Sequence, residues 1–212
     1  MEILAKDIRP EGIPVNNREG TVWVGEQLLD SSRKYLLRGT SGRGKSTFMH
    51  ILGGIRKNFS GTLLLDGMDT SSHSPDKWAK LRSGPMGIVF QDLRLLPQLT
   101  ARENLSIKTA LHEPPEAPEI ENLADRLDIQ EHLDKPCRKL SFGQQQRLAI
   151  LRALLQPFQF LMLDEPFSHL DPQNTKVALE TILETANQRK AGILLTTLHE
   201  DYGFPFDKEL TV

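Results

Sequence analysis

Eight consecutive residues, Gly39-Thr40-Ser41-Gly42-Arg43-Gly44-Lys45-Ser46, fit the pattern Gly-x-x-x-x-Gly-Lys-Ser/Thr. Glycines at this spacing let the backbone curl until successive N–H groups face one point, an arrangement that suits a phosphate. The Lys45 amine can reach the outer phosphates of a polyphosphate, and the Ser46 hydroxyl can ligate Mg²⁺. Arg43 adds positive charge. Far downstream, the apolar run "FLML" ends in Asp164-Glu165-Pro166. Two carboxylates after four apolar residues stand at the C-terminal edge of a parallel strand, where open α/β sheets bind their ligands. Asp164 suits holding Mg²⁺ beside Ser46. Glu165 suits general-base work, polarising a water aimed at a γ-phosphate.

These groups need elements to hold them. The phosphate-type loop follows the strand-like "YLLR" and opens the helix-like "GKSTFMHILGGI", which the Gly53-Gly54 pair ends. Further strand-like runs are "TVWV", "GTLLLDG", "MGIVFQ", "FQFLMLDEP" and "GILLTTL", with a short last one in "FDKELTV". Their near-continuous apolar character predicts strands buried on both faces, as in parallel sheets. "PQNTKVALETILETANQRK" carries Val177, Leu179, Ile182 and Leu183 at helical spacing behind Pro172. The alternation of strands and helices defines an α/β domain.

The middle of the chain differs. Between Leu93 and Leu155 no strand pattern stands out. "TARENLSIKTAL" has a Thr100 N-cap with Glu103 at the capping-box position, and "IENLADRLDIQEHL" reads as helix after the acidic, proline-rich connector "HEPPEAPEIEN". We read one domain over 1–212, with an α/β core in 1–91 and 156–212 and an inserted helical subdomain in 92–155. Its 212 residues, 38% hydrophobic and 25% charged, are ordinary for such a domain. A formal net charge of -2 without basic runs speaks against nucleic acid as the partner. The single cysteine, Cys137, excludes an intrachain disulfide and reads as a packing residue. The N-terminus shows no secretory pattern, and no apolar run approaches the roughly 20 residues of a membrane span. The expected location is cytoplasmic.

Further motifs follow in a fixed order: "VFQD", "LSFGQQQR" shortly before "FLMLDEP", then "SHLD" and "LHED". With "GTSGRGKS" before them, the chain resembles the ATP-binding cassette (ABC) ATPases over nearly its full length. These are the nucleotide-binding subunits or domains of ABC transporters. The resemblance implies a P-loop NTPase core of the ABC type, with an inserted helical subdomain and an N-terminal β subdomain. It implies ATP and Mg²⁺ held by Gly39 to Ser46 and Thr47, with Ser46, Gln91 and Asp164 at the metal. Lys45, Gln91, Glu165 and His199 become the catalytic set, His199 bonding the γ-phosphate.

In this family the signature closes over ATP held by a second subunit, so the resemblance also implies a head-to-tail dimer, with a second copy or with a homologous ATPase subunit. Ser141 then offers its hydroxyl and Gly143 its N–H to the opposing γ-phosphate. Gln144 to Gln146 supply neutral amides, and Asp171 joins the two sites or caps the next helix. Phe142 stands where the family usually has glycine, which demands an outward side chain and negative φ. The family's adenine-stacking aromatic has no obvious counterpart. Trp23 and Tyr35 read as core, and Ile8 or Ile13 would offer an apolar contact instead.

A separate transmembrane permease is implied as partner, docked near Gln91 and "DLRLLPQLTAREN", a segment resembling the subgroup serving lipoprotein release, macrolide export and cell division. The protein would sit peripherally on the membrane's cytoplasmic face through that permease. Two alternatives stand beside this: a soluble ABC ATPase of DNA repair or translation, whose usual coiled coil, zinc modules or tandem cassettes are not seen, and a weakly hydrolysing regulatory module, against which Glu165 speaks.

Overall fold

The computed structural model of the chain describes residues 1–15, 18–111, 117–198, 202–203 and 206–212. In chain order the first strands are β1 (Glu2–Pro10), β2 (Glu26–Asp30) and β3 (Lys34–Arg38), followed by helix α1 (Lys45–Leu52). Strands β4 (Phe59–Leu65) and β5 (Met68–Asp69), helix α2 (Pro75–Ser83) and β6 (Met86–Val89) come next. Three helices follow, α3 (Ala101–Thr109), α4 (Ala117–Arg126) and α5 (Phe142–Leu154). The chain returns to β7 (Phe160–Leu163), α6 (Pro172–Arg189), β8 (Gly192–Thr197) and β9 (Lys208–Thr211).

Five strands form an all-parallel sheet in the order β6-β7-β8-β3-β9. Its central strands are buried throughout, every residue of β7 and β8 included. Because successive strand side chains point to opposite faces, these strands feed two cores. Leu36, Leu161, Leu163, Ile193 and Leu195 pack with α5 and α6 on one face. Tyr35, Leu37, Phe160, Met162 and Leu194 pack on the other with Trp23, Phe48 and an antiparallel sheet, β2-β1-β4-β5. The parallel sheet is thus the middle layer, and its C-terminal edge is left to carry the site.

Every described strand lies outside 92–155, and α3, α4 and α5 lie within it. Helix α5 nevertheless shares its apolar face with the parallel sheet. The segment joining β6 to α3 is organised by Asn104, which is fully buried. Its amide accepts from the Leu96 N–H (2.8 Å) and donates to the carbonyls of Leu96 (3.1 Å) and Thr100 (3.0 Å). Cys137 is buried against the same amide.

Two expectations need correction, and one strand went unread. "TVWV" is a set of turns: Thr21 makes only an isolated bridge to Thr211, and Trp23 points into the core. Its apolarity reflects side-chain burial, not strand pairing. The N-terminal strand β1 carried no readable alternation because it bulges between Lys6 and Arg9, with Asp7 at φ 50. The helix expected through Leu133 stops at Arg126; Asp128 turns left-handed at φ 51, and Gln130–His132 is a single 3₁₀ turn.

Candidate nucleotide site

Strand β3 delivers the chain to Gly39, and α1 begins at Lys45. Gly44 is the N-cap at φ 100, and a Cβ there would stand 2.8 Å from the Trp23 ring. Glycine is required on both counts, since a side chain would strain the backbone and strike the core. Trp23 in turn packs edge-on to Phe48 of α1 with centroids 5.5 Å apart, so the loop rests on a fixed aromatic floor. Lys45 is buried, and its Nζ donates to the Gly39 carbonyl at 2.8 Å and lies 3.0 Å from Glu165 Oε1. The lysine and the proposed base are therefore in direct contact.

Asp164 and Glu165 leave β7 at the same edge. One hydroxyl sets both. Thr196, at the end of β8, donates to Asp164 Oδ1 (2.9 Å) and accepts the Glu165 N–H (2.9 Å). Glu165 holds a left-handed backbone, φ 47, uncommon for a residue with a side chain. Ser46, Gln91 and Asp164 line one open cavity of ≈ 310 Å³, joined there by His50 and Asp92. Hydroxyl, amide and carboxylate oxygens are the hard donors Mg²⁺ takes, and Mg²⁺ keeps water and phosphate oxygens for its remaining positions. The donor set fits that ion. Among the described residues no group of three His, Cys, Asp or Glu forms an all-protein metal site. Burial pushes the His50 imidazole below its ordinary value; the charges of Arg94 and Arg56 add to this, and Asp164 opposes it.

On the near side of the loop, Ser41, Gly42 and Arg43 share a second cavity with Pro14 and Val15. Trp23 and Tyr35 are both fully buried, as expected of core residues, and Ile8 is buried too. The aliphatic groups facing the loop are thus Pro14 and Val15, immediately after the Ile13 considered from sequence.

Helix α5 starts at the signature stretch. Ser141 is its N-cap in a full capping box: Ser141 Oγ accepts from the Gln144 N–H (3.2 Å), and Gln144 Oε1 accepts from the Ser141 N–H (2.9 Å). Phe142 is 66% exposed with negative φ, its ring stacked on His169 at 5.2 Å. A Cβ at Gly143 would lie 3.1 Å from the His169 carbonyl, so glycine keeps this approach close.

Two of the glutamines are bonded within the chain. Gln145 donates to the carbonyls of Cys137 (3.2 Å) and Leu140 (3.0 Å). Gln146 is 1% exposed; it donates to the Glu165 carbonyl (3.2 Å) and Ser168 Oγ (3.2 Å) and accepts the His169 N–H (2.9 Å). These two amides hold the helix start to its own chain. Asp171 caps α6, accepting the Asn174 N–H at 2.9 Å. His199 lies outside the described residues. Thr196 and His50 were missed from sequence; the one available signal was a polar side chain within an otherwise apolar strand or helix.

With loop, acidic pair and signature helix in place, the chain can be compared with known proteins. The family profile described as ABC transporter matches residues 28–168, and the chain belongs to that family as an ATP-binding, ATP-hydrolysing cassette. It is 32% identical over 195 residues, 91% of this chain and 79% of the relative, to the lipoprotein-releasing system ATP-binding protein LolD of Shewanella frigidimarina. It is 36% identical over 166 residues to the macrolide export ATP-binding/permease protein MacB of Syntrophobacter fumaroxidans, 76% of this chain but 23% of that one. The dimeric structure of MJ0796, a bacterial ABC transporter cassette, superposes with a TM-score of 0.80 at 23% identity, covering 93% and 88% of the two chains. That likeness speaks to the fold.

Proposed function

We propose that this chain is the ATP-hydrolysing subunit of an ABC transporter, closing head to tail with a second copy or a homologous subunit around two Mg²⁺-ATP and driving a separate membrane permease. The observation that carries this is the convergence of Lys45, Glu165, Asp164, Ser46 and Gln91 on one sheet edge. In this reading the loop amides of Gly39 to Thr47 hold the phosphates. Lys45 leaves Glu165 for the outer phosphate oxygens, freeing the carboxylate to take a proton from the attacking water. Ser46, Gln91 and Asp164 would hold Mg²⁺, which when bound would neutralise negative charge on the phosphates. His199 contacts the γ-phosphate. Ser141 and Gly143 serve the opposing nucleotide, aided by the helix dipole of α5. Segment 92–155 acts as the helical unit that meets the permease near Gln91.

The relatives' names support the transport role, and a permease of the lipoprotein-releasing or macrolide-exporting kind fits it. No described helix is long and apolar enough to cross a membrane, consistent with peripheral attachment on the cytoplasmic face through a partner. The test is affinity purification of the tagged protein from detergent-solubilised cells with mass spectrometry of what it retains. A polytopic membrane protein in stoichiometric amount is the expected result. Retention of ribosomes, nucleic acid or only soluble proteins would move the chain to the non-transport branch.

A further inference from the structure

Helix α1 gives way to the Gly53-Gly54 pair, and the chain leaves through Arg56 and Lys57 into β4. After β5, a single turn over Thr70–Ser72 ends at His73, and α2 then carries Trp78 back to the end of α1. The Trp78 ring lies so close on Gly54 that no Cβ fits between them, and Gly54 has φ 63. His73 packs against the same ring with centroids 5.5 Å apart. These residues border a cavity of ≈ 260 Å³, with Ile51, Leu63 and Trp78 as its buried apolar wall. It shares no lining residue with the cavities beside the phosphate loop and the acidic pair, and it lies at the end of α1 away from Lys45.

The polar wall carries more cation than anion. Arg56 and Lys57 line it, and among the described residues neither forms an ion pair. Its one carboxylate, Asp69, accepts the Ser71 N–H at 2.7 Å, which holds it below its ordinary value. Arg56 donates through Nη2 to the Glu11 carbonyl, while its Nε is buried without a hydrogen-bond partner among the described residues. His73 is 7% exposed, and its Nδ1 is buried without a partner as well. Buried polar atoms are nearly always bonded, and one that is not calls for an explanation such as an ion or a ligand group. Here two such atoms, on a guanidinium and an imidazole, belong to the wall of one cavity. A guanidinium only donates, and a neutral imidazole has one N–H to donate. Donors of this kind bond most strongly to charged oxygens.

We propose that this cavity is a second ligand site, taking a small organic anion: a carboxylate or phosphate head at Arg56, Lys57 and His73, on a compact apolar body resting against Ile51, Leu63 and Trp78. The volume falls just under the range usual for drug-sized ligands, which makes the occupant compact. The site goes beyond the transporter-subunit reading and does not depend on it.

The test uses the full-length chain, isotope-labelled and saturated with Mg²⁺-ADP so that the phosphate loop is filled. Phenylacetate and phenyl phosphate are the two anionic probes, and phenylacetamide is the uncharged control. At least one anion should move the nuclear magnetic resonance signals of the His73 ring and the Trp78 indole to saturation, and which one does so identifies the head as carboxylate or phosphate. Phenylacetamide should bind at least about tenfold more weakly. The double variant Arg56→Gln/Lys57→Gln should weaken the anion by a similar factor with the rest of the spectrum unchanged, and His73→Gln gives an independent second variant with the same expected direction. If neither anion saturates these signals up to about 10 mM, the site is overturned and its unpaired atoms belong to water. Equal binding of phenylacetamide would overturn the anionic head. Equal binding by the double variant would overturn its placement at Arg56 and Lys57. None of these results touches the transporter reading, which rests on the other end of α1.

Discussion

The two ends of the proposed catalytic machinery are built in opposite ways. At the edge of the parallel sheet, Lys45, Asp164, Glu165 and Thr196 bond one another in a nearly closed, buried set. At the start of α5, Ser141 and Gly143 stand beside an aromatic pair, Phe142 on His169, that faces outward. The first-turn N–H groups of any helix lack intrahelical acceptors; here Ser141 Oγ takes that of Gln144, and the neighbouring Phe142 is exposed. One end is closed within the chain; in the proposed reading the other serves a nucleotide held by a second subunit. Under that reading, a cassette divided this way would tie hydrolysis to association.

The sharpest way to break this contrast is Glu165→Gln. It should reduce steady-state phosphate release by about 10²–10⁴-fold while ATP still binds, measured by equilibrium dialysis. Unchanged release would remove Glu165 from the role of base. Next comes Gln146→Leu, which strands the His169 N–H and removes one partner each from the Glu165 carbonyl and Ser168 Oγ. A cost of about 1–3 kcal/mol in chemical denaturation with a parallel loss of hydrolysis would show that the closed end depends on α5; an unaltered midpoint would separate the two. Phe142→Ala should leave unfolding within about 0.5 kcal/mol, because the ring is exposed. It should also shift the protein concentration at half-maximal hydrolysis upward by a factor on the order of ten. A stability loss instead would make the aromatic pair an internal brace.

The smallest effect is expected at Asp171, whose carboxyl the Asn174 N–H, above all, holds below its ordinary value. Its folded value lies under its unfolded one, so the stability it adds is present above the carboxylate range and is lost as pH falls through the folded value. Asp171→Asn keeps a capping oxygen and should flatten that acid limb slightly without changing hydrolysis at neutral pH. A marked fall in hydrolysis would assign Asp171 a task beyond the cap.

The loop from Gly39 to Ser46 and the acidic pair were legible because their chemistry is written in adjacent residues that a single turn brings together. The buried strands β7 and β8 were legible for a similar reason, their apolar runs being continuous. What joins them was not. Thr196 meets Asp164 and Glu165 only through the β7–β8 register, 32 and 31 residues away. The three glutamines look alike in sequence, yet Gln146 is buried by the loop after β7. Strand β1 hid behind its bulge. Helix α2 was overlooked although Ser74 caps it and Pro75 opens it, a signal local enough to have been read.

The Thr196 hydroxyl carries one proton, and Asp164 receives it; the oxygen's remaining capacity takes the Glu165 N–H. In the proposed reading, grip on the ion and aim of the water therefore share one adjustable part. A lineage built that way could not retune one without disturbing the other, and replacing that hydroxyl by a methyl group should alter affinity and rate in a single step.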